Sequence, residues 1–185
     1  NDGFVVTKYP SGAIHTEGNY NNGVRNGLWI IWYEGEVYQD FGADGEPNTQ
    51  DEGENNNKWD STETVILDLD GDTFFDPPQK KEEGSYIEGN RDKTWIKWYQ
   101  TGHKQEEGNF KEGKLHGSLM KWYENGNKSQ EGLYETGKQE GDWIWYYQSG
   151  IKKEKTVFKD GQQEGLWIQW FIDGTKKSER KFSNG

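Results

Sequence analysis

Cysteine is absent from the 185 residues, methionine occurs once at Met120, proline only four times, and hydrophobic residues make up just 29% of the chain. Without cysteine there is neither a disulfide framework nor thiol chemistry. No apolar run approaches ~18 residues, so no membrane-spanning helix is expected. A basic excess is missing too: the net charge is −11, the wrong sign for a protein that neutralises phosphates, so no nucleic-acid partner is expected. There is no H-x-x-x-H spacing, G-x-S-x-G, P-loop or dinucleotide fingerprint. His15, His103 and His116 stand far apart and read as turn residues. No enzyme is expected. With Asn1 first and the single Met at 120, a processed chain or an excised piece is expected.

What the chain has is rings and glycine: 10 Trp, 10 Tyr, 8 Phe and 25 Gly. Mean hydropathy is −1.23, a figure that by itself suits a disordered chain. Large rings argue the other way, because each carries a large burial energy. A thin structure with few, big apolar side chains is the reading that satisfies both.

Internal repeats confirm order. From residue 83 the period is constant: EGSYIEGNRDKTWIKWYQTGHKQE, EGNFKEGKLHGSLMKWYENGNKSQ, EGLYETGKQEGDWIWYYQSGIKKE and KTVFKDGQQEGLWIQWFIDGTKKS. Trp95, Leu119, Trp143 and Trp167 share one column. Trp98, Trp122, Tyr146 and Trp170 share a second, and Tyr99, Tyr123, Tyr147 and Phe171 a third. An earlier copy, EGNYNNGVRNGLWIIWYEG, covers residues 17–35. Each unit holds two glycine turn signals flanking short aromatic stretches, which predict strands of about five to seven residues. Two strands per unit make an all-β, single-layer antiparallel meander. Alternation places Trp95 and Tyr99 on one face and Trp98 on the other. The expected organisation is an N-terminal half-repeat plus first repeat (1–35), an insertion (36–82), then four repeats and a C-terminal half-repeat (83–185).

These columns and turns resemble the bacterial variant of the MORN repeat. The resemblance covers residues 1–35 and 83–185 and implies a repeat scaffold of bacterial or archaeal origin. Some bacterial relatives of this kind are antitoxin-like, which implies a partner protein as one reading.

Residues 36–82 break the period and hold 14 of the 33 acidic residues against 3 of the 22 basic ones, so the whole charge of 3 − 14 = −11 lies there. In DLDGDTFFDPPQ the acids Asp68, Asp70, Asp72 and Asp76 fall at positions one, three, five and nine of a calcium loop, with the Phe74 carbonyl at seven. EGENNNKWDSTE repeats the spacing with Glu52, Glu54, Asn56, the Lys58 carbonyl, Asp60 and Glu63. That pattern wraps oxygen ligands around one hard cation. It departs from the usual loop at position six (Asn57, Thr73) and at position twelve of the first-quoted loop (Gln79). Asp40, Asp44 and Asp51 are further candidate ligands. Calcium is the expected cofactor, and millimolar extracellular calcium points to an extracellular or cell-surface location. A solvated acidic loop is the alternative.

FVVTKYPSG at 4–12 aligns with the second half of a repeat, and ERKFSNG at 179–185 with the first half. Neither end shows a proline or a charged edge helix to blunt an open strand. A head-to-tail homopolymer is therefore expected, with Phe4, Val5, Val6, Tyr9, Arg180, Phe182 and Gly185 at the junction. An arbitrary cut through an array and closure of the sheet on itself are the alternatives. The competing function class is a carbohydrate- or protein-binding module in which Trp98, Trp122 and Trp170 stack on a ligand.

Overall fold

The computed structural model describes residues 2–35, 37–39, 64–67 and 79–183. The strands are β1 (Gly3–Lys8), β2 (Ile14–Asn21), β3 (Val24–Trp32), β4 (Val37–Gln39), β5 (Thr64–Leu67), β6 (Lys80–Ile87) and β7 (Asn90–Trp98). They continue as β8 (Lys104–Lys111), β9 (Lys114–Trp122), β10 (Lys128–Glu135), β11 (Lys138–Tyr146), β12 (Lys152–Lys159), β13 (Gln162–Trp170) and β14 (Lys176–Phe182). Twelve form one antiparallel sheet in chain order; β4 and β5 pair separately inside the acidic segment. The expected all-β, single-layer meander is what forms. β6, which opens at Lys80 inside the segment grouped with the insertion, pairs directly with β3, so the array runs on across the interruption. Among the described residues β1 and β14 are the sheet's edges and do not pair with each other, so the sheet is not closed on itself.

The strands run to eight and nine residues in the repeats, longer than alternation suggested, because each carries bulges. Between Glu83↔Ile96 and Ser85↔Asp92 the short strand advances two residues and the long strand four. Lys93 lies in this excess and has φ 61; its equivalents Gly27, Gly117, Gly141 and Gly165 have φ 72, 102, 67 and 76. A left-handed backbone costs a residue with a Cβ roughly 1–2 kcal/mol, so the column is glycine wherever the sequence allows.

The core follows from a single contact. Gly132 sits under Trp143 so closely that a Cβ would lie 2.3 Å from the indole ring, and Gly18 and Gly84 are related in the same way to Trp29 and Trp95. With no side chain below it, the ring lies flat on the preceding strand. Its Nε1 then reaches a backbone carbonyl one residue further: Trp29 to Asn19, Trp95 to Ser85 and Trp143 to Leu133, each at 3.1 Å. Neighbouring rings pack edge-on in a herringbone: Tyr20–Trp29–Tyr86–Trp95–Phe110, and again Tyr134–Trp143–Phe158. The guanidinium groups of Arg25 and Arg91 roof Trp29 and Trp95 at 4.4 and 4.1 Å. Trp143 has Trp145 leaning on it in place of a guanidinium, ring centroids 5.7 Å apart, and is 0% exposed without a second layer over the sheet.

The fourth copy of the pair proves the rule. Thr156 takes the glycine position and is itself buried. Trp167 cannot lie on it, is only half-buried, and sends its Nε1 to the Glu154 carboxylate at 2.8 Å instead of to a carbonyl.

Two substitutions test these constraints. Gly132→Ala is expected to destabilise the protein by about 2–3 kcal/mol, since a Cβ there would push the Trp143 ring off the strand and off its carbonyl bond. An unfolding free energy from urea titration within ~0.5 kcal/mol of wild type contradicts the flat-ring packing. Lys93→Gly is expected to stabilise by roughly 0.5–1 kcal/mol, the relieved left-handed strain less the added freedom of the unfolded chain.

Candidate functional site

Residues opposite one another in the ladder share a face, which resolves the sheet into a packed face, carrying the herringbone, and an open face. On the open face one row crosses the sheet as alternating rings and lysines: Trp32↔Lys80, Trp98↔Lys104, Trp122↔Lys128, Tyr146↔Lys152 and Trp170↔Lys176. The ammonium groups of Lys80 and Lys104 lie 6.0 and 5.8 Å from the centroids of Trp98 and Trp122. A second row alternates aliphatics with acids: Val6↔Glu17, Ile30↔Glu83, Ile96↔Glu107, Met120↔Glu131 and Ile168↔Glu179. Lysines of the first row pair with acids of the second, as in Lys80–Glu83 at 2.8 Å, Lys104–Glu107 at 2.7 Å, Lys128–Glu131 at 2.7 Å and Lys176–Glu179 at 2.6 Å. Each exposed pair contributes little alone; together they hold lysine stems against the rings. Where the acid is replaced by Lys155, Asp142 in the next row supplies the counter-charge at 2.7 Å.

Trp98, Trp122 and Trp170, the expected stacking residues, thus stand in one row on one face, half-buried, with lysines between them. They are parts of a cross-sheet zipper more than bare platforms. Trp32 and Trp98 wall a shallow cleft of about 320 Å³ with Gln79, Lys80 and Gly102.

The third aromatic column has a role that sequence reading missed. Each tyrosine hydroxyl donates to a backbone carbonyl of the next unit: Tyr9 to Trp32, Tyr33 to Trp98, Tyr99 to Trp122, Tyr123 to Tyr146 and Tyr147 to Trp170, at 2.7–3.0 Å. Tyr33 bridges the insertion, adding to the β3–β6 ladder that keeps the array in register across it. Phe171 has no hydroxyl to continue the series. At the opposite turns the Gly89, Gly113, Gly137 and Gly161 amides reach back to the carbonyls of Arg25, Arg91, Leu115 and Gln139 at 2.8–2.9 Å. At the first such turn Asp2 substitutes: its carboxylate accepts from the Gly23 amide at 3.0 Å. That bond, with one from Asn22, holds the Asp2 carboxyl below its usual range.

The expected junction residues are spread over both edges. Phe4 and Val6 are exposed on the open face of β1, and Val5 is half-buried opposite Gly18. Tyr9 is turned inward by its ladder bond. On β14, Phe182 packs edge-on against Trp167 and Arg180 lies 5.5 Å over the same ring. Five of the seven β14 residues are charged, a feature that discourages edge pairing and that the sequence reading did not weigh. Gly185 lies outside the described residues, as do the calcium candidates Glu52, Glu54, Asn56, Lys58, Asp60, Glu63, Asp68, Asp70, Asp72, Phe74 and Asp76, together with Asp40, Asp44 and Asp51. Among the described residues no three His, Asp or Glu side chains cluster as metal ligands. His103 bonds the Glu124 carbonyl at 2.7 Å, His116 accepts from the Thr136 amide at 3.4 Å, and His15 stacks on Tyr9.

Residues 91–112, 115–136 and 139–160 match the family described as MORN repeat variant. Each match opens at a residue whose carbonyl accepts a turn amide and closes immediately before the glycine that donates it. The family unit and the hydrogen-bonded unit coincide, and in these units the chain is similar to MORN-repeat proteins. No curated protein matches the chain.

One side-chain bond on the open face titrates. The Tyr146 hydroxyl donates to the Glu131 carboxylate in a short contact. Burial, then Glu131, pushes the phenol up to about 12 from 10.0, and Lys128, then Tyr146, holds the Glu131 carboxyl below its ordinary 4.5. The native phenol keeps its proton where the unfolded one loses it. Stability from this group is therefore full below pH 10 and declines as pH rises toward 12. Glu131's part is full above 4.5 and is lost as pH falls through its native value. Urea midpoints taken stepwise in pH are expected to show the alkaline decline in wild type and a flatter curve in Tyr146→Phe; identical slopes contradict the coupling.

Proposed function

We propose that the protein is a non-catalytic structural module that associates with further copies of itself through its sheet, the edge strand β1 making the contact. The observation that carries this reading is the placement of exposed apolar side chains. Phe4, Val6, Ile14, Val24, Leu28 and Ile87 are all exposed, all lie on the open face by their ladder positions, and all fall on the four neighbouring strands β1, β2, β3 and β6. Elsewhere on the twelve strands of the large sheet, among the described residues, only Leu133 and Leu166 are exposed large hydrophobics. An apolar patch gathered at one edge of a sheet is a common mark of an association surface.

The repeat supports a head-to-tail register for such a contact. With β1 of one copy beside β14 of another, Glu179 would meet Val6, which continues the acid–aliphatic row. Arg180, in the glycine column, would meet Val5, the smallest residue of the tryptophan column. Filament growth follows if this contact repeats without closing. The acidic segment supports the rest: its one-three-five spacing suits calcium, which would relieve the repulsion among its carboxylates, and calcium at millimolar concentration suits a secreted, cell-surface protein.

Sedimentation velocity and electron microscopy test the reading. Wild type is expected to form concentration-dependent higher species in calcium and fewer in chelator. The double variant Phe4→Lys/Val6→Lys is expected to remain monomeric with an unchanged thermal midpoint. A wild type that stays monomeric at high concentration with calcium present removes the proposal.

A further inference from the structure

The strand pairs that meet at the tyrosine ladder all carry a one-residue bulge on the later strand of the pair. The bulged residues are His15, Lys81, Gln105, Ser129, Lys153 and Lys177. A bulge re-aims its side chain, and here the aim is over the ladder ring. His15 stacks on Tyr9 at 4.5 Å. Lys81 lies 5.3 Å over Tyr33, Lys153 5.9 Å over Tyr147 and Lys177 5.7 Å over Phe171. Ser129 is the short member of the series, so the ring it should cover, Tyr123, loses its lid.

A second departure lies beside the first. Trp145 is paired with Gln130, the residue after Ser129, at a position filled by Lys97 and Lys121 in the two preceding repeats and Gln169 in the following one. It leans on Trp143 with ring centroids 5.7 Å apart, and its indole N–H takes no hydrogen bond among the described residues. The two departures open a cleft of about 260 Å³ lined by Tyr123, Ser129, Trp145, Tyr146, Lys153 and Glu154. Two rings give it apolar walls. The Ser129 hydroxyl, the Lys153 ammonium and the Glu154 carboxylate give it both donors and acceptors. Glu154 is fixed from behind by Trp167 Nε1 at 2.8 Å and Gln169 Nε2 at 3.3 Å, so its orientation is set before any ligand arrives.

We propose that this cleft binds a neutral pyranose ring of a glycan. The apolar faces of a sugar pack on Tyr123 and Trp145, while its ring-edge hydroxyls meet the mixed donors and acceptors. An aliphatic ligand would leave the polar rim unpaired, and a strongly anionic one would meet Glu154. The two rings that wall the site, Tyr123 and Trp145, lie on the packed face, away from the β1 patch, and binding there does not depend on self-association.

The array itself supplies the test variants. Ser129→Lys restores the lid found at 81, 153 and 177, and Trp145→Lys restores the residue found at 97 and 121; both are residues this backbone already holds. The experiment titrates short oligomers of β-linked glucose, N-acetylglucosamine and xylose, and of α-linked glucose, into the Phe4→Lys/Val6→Lys protein, following tryptophan emission and indole NMR signals. Saturable binding of at least one oligomer that shifts the Trp145 indole signal is expected, weakened tenfold or more by each cleft variant while thermal midpoints hold. No saturable binding to any member of the panel, or wild-type affinity in either cleft variant, overturns the proposal.

Discussion

The contact on which the structure depends is a flat indole against a strand that has no side chain beneath it. A single-layer sheet has no opposing layer to bury its apolar residues. Here burial is arranged within the layer: a glycine admits the ring, edge-on aromatics close its flanks, and a guanidinium or, at Trp143, a second indole leans on it. The carbonyl bonded by the indole nitrogen fixes the ring's direction, so each tryptophan contributes both apolar burial and a satisfied polar group. The other copies vary by matched exchange. Gly108 carries Leu119 at 3.1 Å from its notional Cβ, and Thr156 carries a displaced Trp167.

Around that contact the repeats are tied twice, once along each long margin of the sheet. Tyrosine hydroxyls join unit to unit at one margin and glycine amides at the other. Net contributions of such bonds are about 1 kcal/mol each, but they recur in step, which is how quasi-one-dimensional arrays accumulate stability from neighbour to neighbour. The same regularity makes departures informative. Lys155 comes with Asp142, Thr156 with a redirected Trp167, Ser129 with Trp145. The first two compensate for each other locally. The third leaves space, and space with polar walls is what a ligand needs.

The architecture was legible because two turn signals and three aromatic columns repeat without a gap from residue 83, and a period-two pattern between turns has few other solutions. Trp95 and Trp98 fall on opposite faces as alternation requires. The site was less legible. Trp98, Trp122 and Trp170 were identified as a column, yet the lysines between them belong to the opposite strands, and a bulge shifts the register by one residue just there. Counting along one strand does not reveal which residue of the next strand stands beside a ring. The tyrosine ladder was hidden for a related reason: its acceptors are main-chain carbonyls, which leave no mark on the sequence. A signal did exist in Ser129 and Trp145, each an exception in its own column, but their adjacency appears only once the strands are paired.

Sequence alone determined the repeat length, the strand–turn alternation, the aromatic columns and the concentration of negative charge in one segment, because all of these are local or periodic. The tertiary structure decided which glycine lies under which tryptophan, how Tyr33 spans the insertion to Trp98, that Asp2 stands in for a strand carbonyl, and that a missing lid and a misplaced indole share one cleft. Those are relations between strands, and they are set by bulge positions and ladder register, which act across the sheet and not along the chain.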